Sequence, residues 1–184
     1  PDVLVCRSEH SIDEDIRRKL ALFTNVRPKN VIESRDASTI YEVPVMMYKE
    51  KLDESVLDYF GLESKQQPDL DKWRDFLSRL KYPKRTVEIG LIGKYVELKD
   101  SYKSITEAFI HAGAANEVEV KIRWIHSEHL TKENAASTCK GLDGLLVAPG
   151  FGERGFEGKV ATVQHARENK IPYFGICYGM QAAV

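Results

Sequence analysis

The sequence predicts an α/β protein with a parallel sheet and helices on both faces. Three observations lead there. From Val87 onward, apolar strand-like segments alternate with amphipathic helical segments, the pattern of β-α-β units with right-handed crossovers. Two glycine-rich stretches, Pro149–Gly155 and Gly175–Gly179, follow apolar runs, at the strand ends where parallel sheets bind ligands. The 184 residues, 42% hydrophobic and 30% charged, can bury a core and stay soluble. That length suits one domain with part of another.

Val3–Cys6 is a short apolar run of strand type. Ser11 and Glu14 have the spacing of a capping box, and Ile12, Ile16 and Leu20 recur at helical spacing, so residues 12–23 read as a helix. Val31–Ile32 suggests a short strand. Between Ala37 and Tyr48 a helical turn and another short segment are expected, interrupted by Pro44. Leu52, Val56 and Phe60 mark a helix over 51–60, with Gly61 as its stop.

The texture then changes. Residues 63–71 are polar and contain Pro68, as a linker would. Leu70, Trp73, Phe76, Leu77 and Leu80 share one face of a helix, and Lys81–Arg85 is a basic hinge broken by Pro83. Strands are expected at 87–92, 118–124, 142–147 and 171–176, and helices at 100–114 and 157–169. The strict alternation of Val118, Val120, Ile122 and Trp124 with charged residues marks a strand with one covered face. The expected division is 1–62, a linker with a helix over 63–86, and 87–184.

The most informative stretch is Phe174–Gln181. A strand ends in Gly175-Ile176-Cys177-Tyr178-Gly179 and runs into residues that can start a helix. This is the thiol form of a nucleophile elbow. Glycines flank the reactive residue because Cβ atoms there would collide. Cys177 is expected at a helix N-terminus, where the dipole favours thiolate. The loop Pro149-Gly150-Phe151-Gly152 lacks the lysine and hydroxyl of a phosphate-binding loop. It is a candidate first half of an oxyanion hole, with the Tyr178 N–H as the second.

At these residues the chain resembles the class I glutamine amidotransferases, and within them the CTP synthase family, over essentially its whole length. Gly90–Leu98 with Asp100–Ser104 resembles the start of the glutaminase domain. Pro149–Gly152 with Arg154-Gly155 resembles its oxyanion loop, and Gly175–Gln181 its elbow. Leu4–Ser8 and Ala21–Phe23 are similar to the tail of the synthase domain. The resemblance implies a flavodoxin-like glutaminase half, residues 87–184, preceded by the tail of a P-loop-type amidoligase domain, residues 1–62. It implies Cys177 as nucleophile, Gly150 holding the carboxamide oxygen, and Tyr178, Gly179, Met180 and Gln181 completing the glutamine pocket. Lys19 would contact UTP or CTP, Arg35, Asp36 and Ala37 would contact ATP, and Arg154–Gly158 would lie in a lid that answers GTP. In such enzymes of pyrimidine biosynthesis, ATP and magnesium activate UTP, ammonia from L-glutamine gives CTP, GTP activates, and the parent is a homotetramer.

Departures from the family pattern are visible. Family loops commonly read Pro-Gly-Gly-Phe-Gly, where this chain has Ala148-Pro149-Gly150-Phe151-Gly152. Pro149 has no N–H. Tyr178 stands where leucine is common. The general base and the magnesium ligands are expected outside this chain, which ends seven residues after Cys177 and begins with Pro1 rather than an initiator. His10, His111, His126, His129 and His165 read as surface or packing residues. The chain by itself is therefore expected to be alkylated at Cys177 but to hydrolyse little or no glutamine, and to expose apolar surface and aggregate.

Composition excludes several classes. With 27 basic and 28 acidic residues and a net charge of −1, the chain is no general nucleic-acid or membrane-surface binder. It has no apolar run of membrane-spanning length and no signal peptide. Three widely spaced cysteines fit a reducing cytoplasm, and no zinc motif is present. Two other readings stay open: a different cysteine-elbow hydrolase, and a non-catalytic regulatory or assembly module.

Overall fold

The computed structural model describes residues 1–63 and 66–184, so Ser64 and Lys65 of the expected linker lie outside the described residues. The chain divides into two compact units, Pro1–Leu77 and Ser78–Val184.

In the first unit, β1 (Leu4–Ser8) and β2 (Val31–Arg35) pair in parallel, joined through α1 (Glu14–Thr24). Both strands run two or three residues further than their apolar cores, because Leu4↔Val31 through Ser8↔Arg35 stay in register. The expected Ser11 cap is corrected. Asp13 caps α1, its Oδ1 accepting from the Ile16 N–H at 2.7 Å. Ser11 instead donates to Glu33 Oε2 at 3.2 Å, and the Ile12 N–H reaches the same oxygen at 2.6 Å. A carboxylate on β2 thus holds 11–12 off the helix. Asn25 ends α1 in the left-handed region. Ala21, Val26 and Val31 form the core here, with Leu4, Cys6 and Leu20 against it.

Pro44 does not interrupt a helix but opens one. It lies in the first turn of α2 (Val43–Lys49), where its missing N–H has no helical partner to lose. Next come α3 (Leu52–Phe60), closed by Gly61 at φ 64 as the sequence predicts, and α4 (Asp71–Lys81). Trp73 Nε1 donates to the Tyr41 carbonyl at 2.8 Å, and the Trp73 and Phe76 rings pack on Tyr41.

The second unit is a four-stranded parallel sheet in the order β4-β3-β5-β6. The strands are β3 (Arg85–Gly93), β4 (Val118–His126), β5 (Gly144–Val147) and β6 (Tyr173–Gly175). The last is shorter than the expected 171–176, since Pro172 cannot donate to a ladder. Helix α5 (Lys103–Asn116) follows a 3-10 turn over Lys99–Tyr102, so the expected 100–114 helix is two elements. A short α6 (Ala135–Thr138) and α7 (Phe156–Glu168) complete the crossovers, and α8 (Tyr178–Gln181) follows the elbow.

Alternation along the strands sorts the core into two layers. Leu91, Leu146 and Tyr102 pack with Phe109 and Ile105 of α5 on one face. Ile92, Leu145 and Val147 pack with Ala166 of α7 on the other. The chain leaves β3 toward β4 on one side and returns to β5 on the other. That reversal opens a crevice at the carboxyl ends of β3 and β5, where Lys94 and the Ala148–Gly152 loop begin. Among the described residues no helix is long and apolar enough to cross a membrane.

One close approach fixes α7. A Cβ on Gly158 would lie 1.8 Å from the Ser127 carbonyl oxygen. Gly158→Ala is expected to cost about 3 kcal/mol and to lower the melting temperature by roughly ten degrees or more, read by thermal circular dichroism.

Candidate functional site

The elbow is built by backbone contacts that tolerate no side chain. The Ile176 N–H reaches the Val147 carbonyl at 3.0 Å, tying the turn to β5. The chain then doubles back, with the Gly179 N–H on the Ile176 carbonyl at 2.9 Å and the Gln181 N–H on the Cys177 carbonyl at 3.1 Å. A Cβ on Gly175 would lie 2.6 Å from Gly179 backbone atoms, and one on Gly179 2.2 Å from the Val147 oxygen. Both flanking glycines are thus required by close approach, as the motif predicts. Cys177 is held at φ 52, ψ −114, a conformation that costs a non-glycine residue about 1–3 kcal/mol. Its side chain is exposed. Tyr173 braces the turn, its hydroxyl donating to the Gly179 carbonyl at 2.6 Å, and burial pushes that hydroxyl up to about 12.

The helix after Cys177 differs from expectation. It is a single turn of four residues, too short to build much of a macrodipole. The positive charge near the thiol has another source. Lys94 and Lys159 are both buried, at 8% and 1% exposure. Burial, then the charge of Lys94, push the Lys159 ammonium down from its ordinary value, and Cys177 pulls it partly back.

Both ammonium groups grip the loop after β5. Lys159 Nζ donates to the Ala148 carbonyl at 3.0 Å and the Gly150 carbonyl at 3.2 Å. Lys94 Nζ donates to the Phe151 carbonyl. Gly150 and Gly152 sit at φ 127 and φ 97, conformations that favour glycine. Among the described residues, the N–H groups of Gly150, Phe151, Gly152 and Tyr178 have no acceptor within the chain. The Tyr178 ring lies 5.6 Å from Phe151, 5.0 Å from Phe156 and 5.3 Å from Lys159 Nζ. The ring at the usual leucine position thus joins the loop to the elbow.

The structure therefore brings Gly150, Tyr178 and Cys177 to one corner. Gly179 is buried beneath it, while Met180 and Gln181 lie exposed on α8. In the first unit, Arg35, Asp36 and Ala37 cluster at the carboxyl end of β2. The Asp36 N–H reaches the Ser8 carbonyl at 3.0 Å, Arg7 pairs with Asp36 at 2.7 Å, and Arg35 lies 3.6 Å from Glu33. Lys19 is exposed on α1 and makes no ion pair with that corner among the described residues. His126 and His129 stack on each other at 4.7 Å, and His165 lies 3.1 Å from Asn169. Arg154 pairs with Glu128 at 2.8 Å.

Sequence reasoning missed the roles of Lys94, Lys159 and Tyr173. A signal for Lys159 did exist. It falls among Gly158, Ala161, Thr162 and Ala166, all buried on α7, a face too small and apolar for a solvated lysine. An apolar groove of about 760 Å³ lies elsewhere, between α5 and β5–β6. It is lined by Phe109, Leu146, Phe174 and other apolar groups and lacks Cys177, Gly150 and Lys159.

Residues 1–62 match the CTP synthase N-terminus family, and residues 97–184 match the class I glutamine amidotransferase family. Over 100% of its length the chain is 62% identical to the CTP synthase of Cytophaga hutchinsonii and covers 34% of that protein. It is 59% identical to the CTP synthase of Flavobacterium johnsoniae, covering all of this chain and 34% of that one. A solved Trypanosoma brucei CTPS glutaminase domain with bound acivicin superposes with a TM-score of 0.50 at 42% identity, over 53% of this chain and 39% of that one. The chain spans about a third of the length of the curated relatives it matches.

Tyr173 gives the corner a pH signature. Its hydroxyl is harder to ionise in the folded chain, about 12, than at its ordinary 10.0. The folded state then holds a proton that the unfolded state loses, so this contribution to stability is complete below pH 10.0 and is lost as pH rises toward about 12. Tyr173→Phe is expected to be less stable at neutral pH by about 1 kcal/mol. Its melting temperature should fall less steeply than that of the parent chain across the alkaline range.

Proposed function

We propose that the chain is part of a CTP synthase of the class I glutamine amidotransferase type, and that it supplies the glutaminase nucleophile and part of the nucleotide site of such an enzyme. The observation that carries this reading is the exposed Cys177, held at φ 52 beside backbone N–H groups without acceptors.

In this reading the Cys177 sulfur attacks the carboxamide carbon of L-glutamine. The carbonyl electron pair moves onto oxygen, and the N–H groups of Gly150 and Tyr178 receive the charge. Collapse breaks the C–N bond, and the nitrogen leaves as ammonia with the thiol proton. Water then cleaves the γ-glutamyl thioester to glutamate and restores the thiol. Met180 and Gln181 line the pocket for the rest of glutamine, with Gly179 shaping the turn beneath. In this reading the proton-transferring base lies outside this chain.

The ammonia is consumed at UTP, whose O4 is phosphorylated by ATP. Nitrogen adds at C4, phosphate leaves, and CTP results. Lys19 would touch the pyrimidine nucleotide, and Arg35, Asp36 and Ala37 the ATP. The place of Arg35, Asp36 and Ala37 at the carboxyl end of a parallel pair supports the ATP contact. GTP would act through the Arg154–Gly158 segment, and the working assembly would be a homotetramer in the cytoplasm. Among the described residues, no cluster of three or more His, Cys, Asp or Glu could hold a metal. In this reading the magnesium ligands lie outside this chain, and no step here runs through the ion.

The match of residues 1–62 disfavours an unrelated cysteine hydrolase or an assembly module. In the intact protein, Cys177→Ala is expected to reduce glutamine-dependent CTP formation by roughly a thousandfold or more and to spare synthesis from ammonia. Retained glutamine use would overturn the reading. In the 184-residue chain, iodoacetamide should modify Cys177 at least about tenfold faster than Cys139, which is 2% exposed and whose thiol is pushed up by burial. Peptide mass mapping reads both.

A further inference from the structure

We infer that Lys159 is a positioning residue of the oxyanion hole, setting the orientation of the Ala148–Phe151 peptides from beneath. The inference rests on the glutaminase reading above and deepens it.

Four peptide units follow β5. The first joins Ala148 to Pro149 and has no N–H. Lys159 holds its carbonyl at 3.0 Å. The third joins Gly150 to Phe151, and Lys159 holds that carbonyl too, at 3.2 Å. The fourth joins Phe151 to Gly152, and Lys94 takes its carbonyl. A trans peptide points its N–H opposite to its C=O. Carbonyls drawn inward onto buried ammonium groups therefore turn the N–H groups of Phe151 and Gly152 outward. The second unit, between Pro149 and Gly150, is bounded on both sides by units that Lys159 grips. Its N–H, on Gly150, has no acceptor within the chain among the described residues.

Lys159 reaches the second half of the hole as well. Its Nζ lies 5.3 Å from the Tyr178 ring centroid, and the Tyr178 N–H is the other proposed donor. One side chain thus touches both halves. It is anchored from α7, where Gly158 packs against Ser127 and leaves the helix no room to shift. A buried ammonium satisfied by backbone carbonyls is costly to place and uncommon. At this position it corrects for Pro149, which removes one N–H from the loop and leaves fewer donors that must be aimed well.

The test is made in the intact protein with Lys159→Met and Lys159→Arg. A misaimed hole is felt where charge develops on oxygen, not in the bound ground state. Lys159→Met should lower kcat for glutamine hydrolysis by about tenfold to a hundredfold while KM for glutamine changes less than about twofold. Iodoacetamide alkylation of Cys177 forms no tetrahedral oxygen, so in Lys159→Arg, which keeps the positive charge beside the thiol, its rate should stay within about twofold of the parent. Lys159→Arg, which keeps charge and donors, should recover part of the loss. Protection of Cys139 from alkylation verifies the fold. If Lys159→Met exposes Cys139, the Lys159→Arg protein is read instead, with at least a threefold fall in kcat expected.

An unchanged kcat in the folded variant overturns the inference, as does a loss that appears wholly in KM. Glutamine use that survives Cys177→Ala would overturn the glutaminase reading itself, and this inference with it. The two failures are therefore separable.

Discussion

The corner that holds Cys177 depends on two ammonium groups inside the protein. Lys94 leaves the end of β3 and Lys159 rises from α7, and between them they hold the carbonyls of Ala148, Gly150 and Phe151. A glycine-rich loop with no such anchor could turn its peptides either way. With the carbonyls of Gly150 and Phe151 drawn inward, the loop turns the amides of Phe151 and Gly152 outward. The cradle for an anion is therefore made by cations that need not touch the anion. Their burial is stabilised by peptide dipoles, and among the described residues neither ammonium pairs with a carboxylate.

Sheet topology makes the two anchors converge. The order β4-β3-β5-β6 places β3 and β5 side by side at the point where the winding reverses. Lys94 and Ala148, separated widely in sequence, begin on adjacent strand ends, and the Ala148 N–H reaches the Ile92 carbonyl at 2.8 Å. The next strand, β6, ends beside Val147, so the elbow is tied to the same place. Gly175 and Gly179 allow the turn to press onto β5, and that pressure leaves Cys177 strained and exposed. Fold and site are linked through backbone contacts at these strand ends.

The parts of this arrangement that follow from local rules were legible in the sequence. The strand–glycine–cysteine–glycine order announced the elbow, alternating apolar segments announced the parallel sheet, and Gly61 announced the end of α3. What escaped depends on contacts between distant residues. Asp13 rather than Ser11 caps α1 because Glu33, on another strand, takes the Ser11 hydroxyl and the Ile12 N–H. Pro44 opens a helix because a 3-10 turn over Ile40–Glu42 delivers the chain to it. Lysine is ordinarily solvated, so nothing but the small residues around Lys159 hinted at burial. The carbonyls that receive it come from a loop nine and eleven residues earlier, and only the assembled fold supplies them.

The central claim is that the Cys177 sulfur forms a bond to the carboxamide carbon of glutamine at this corner. It is tested most directly by rapid acid quench of the intact protein during glutamine turnover, followed by peptide mass mapping. The account predicts a γ-glutamyl mass on the peptide containing Cys177, removed by mild alkaline hydroxylamine as a thioester is. An acyl group on another residue, or steady turnover with no acyl group on Cys177 at any quench time, would contradict it.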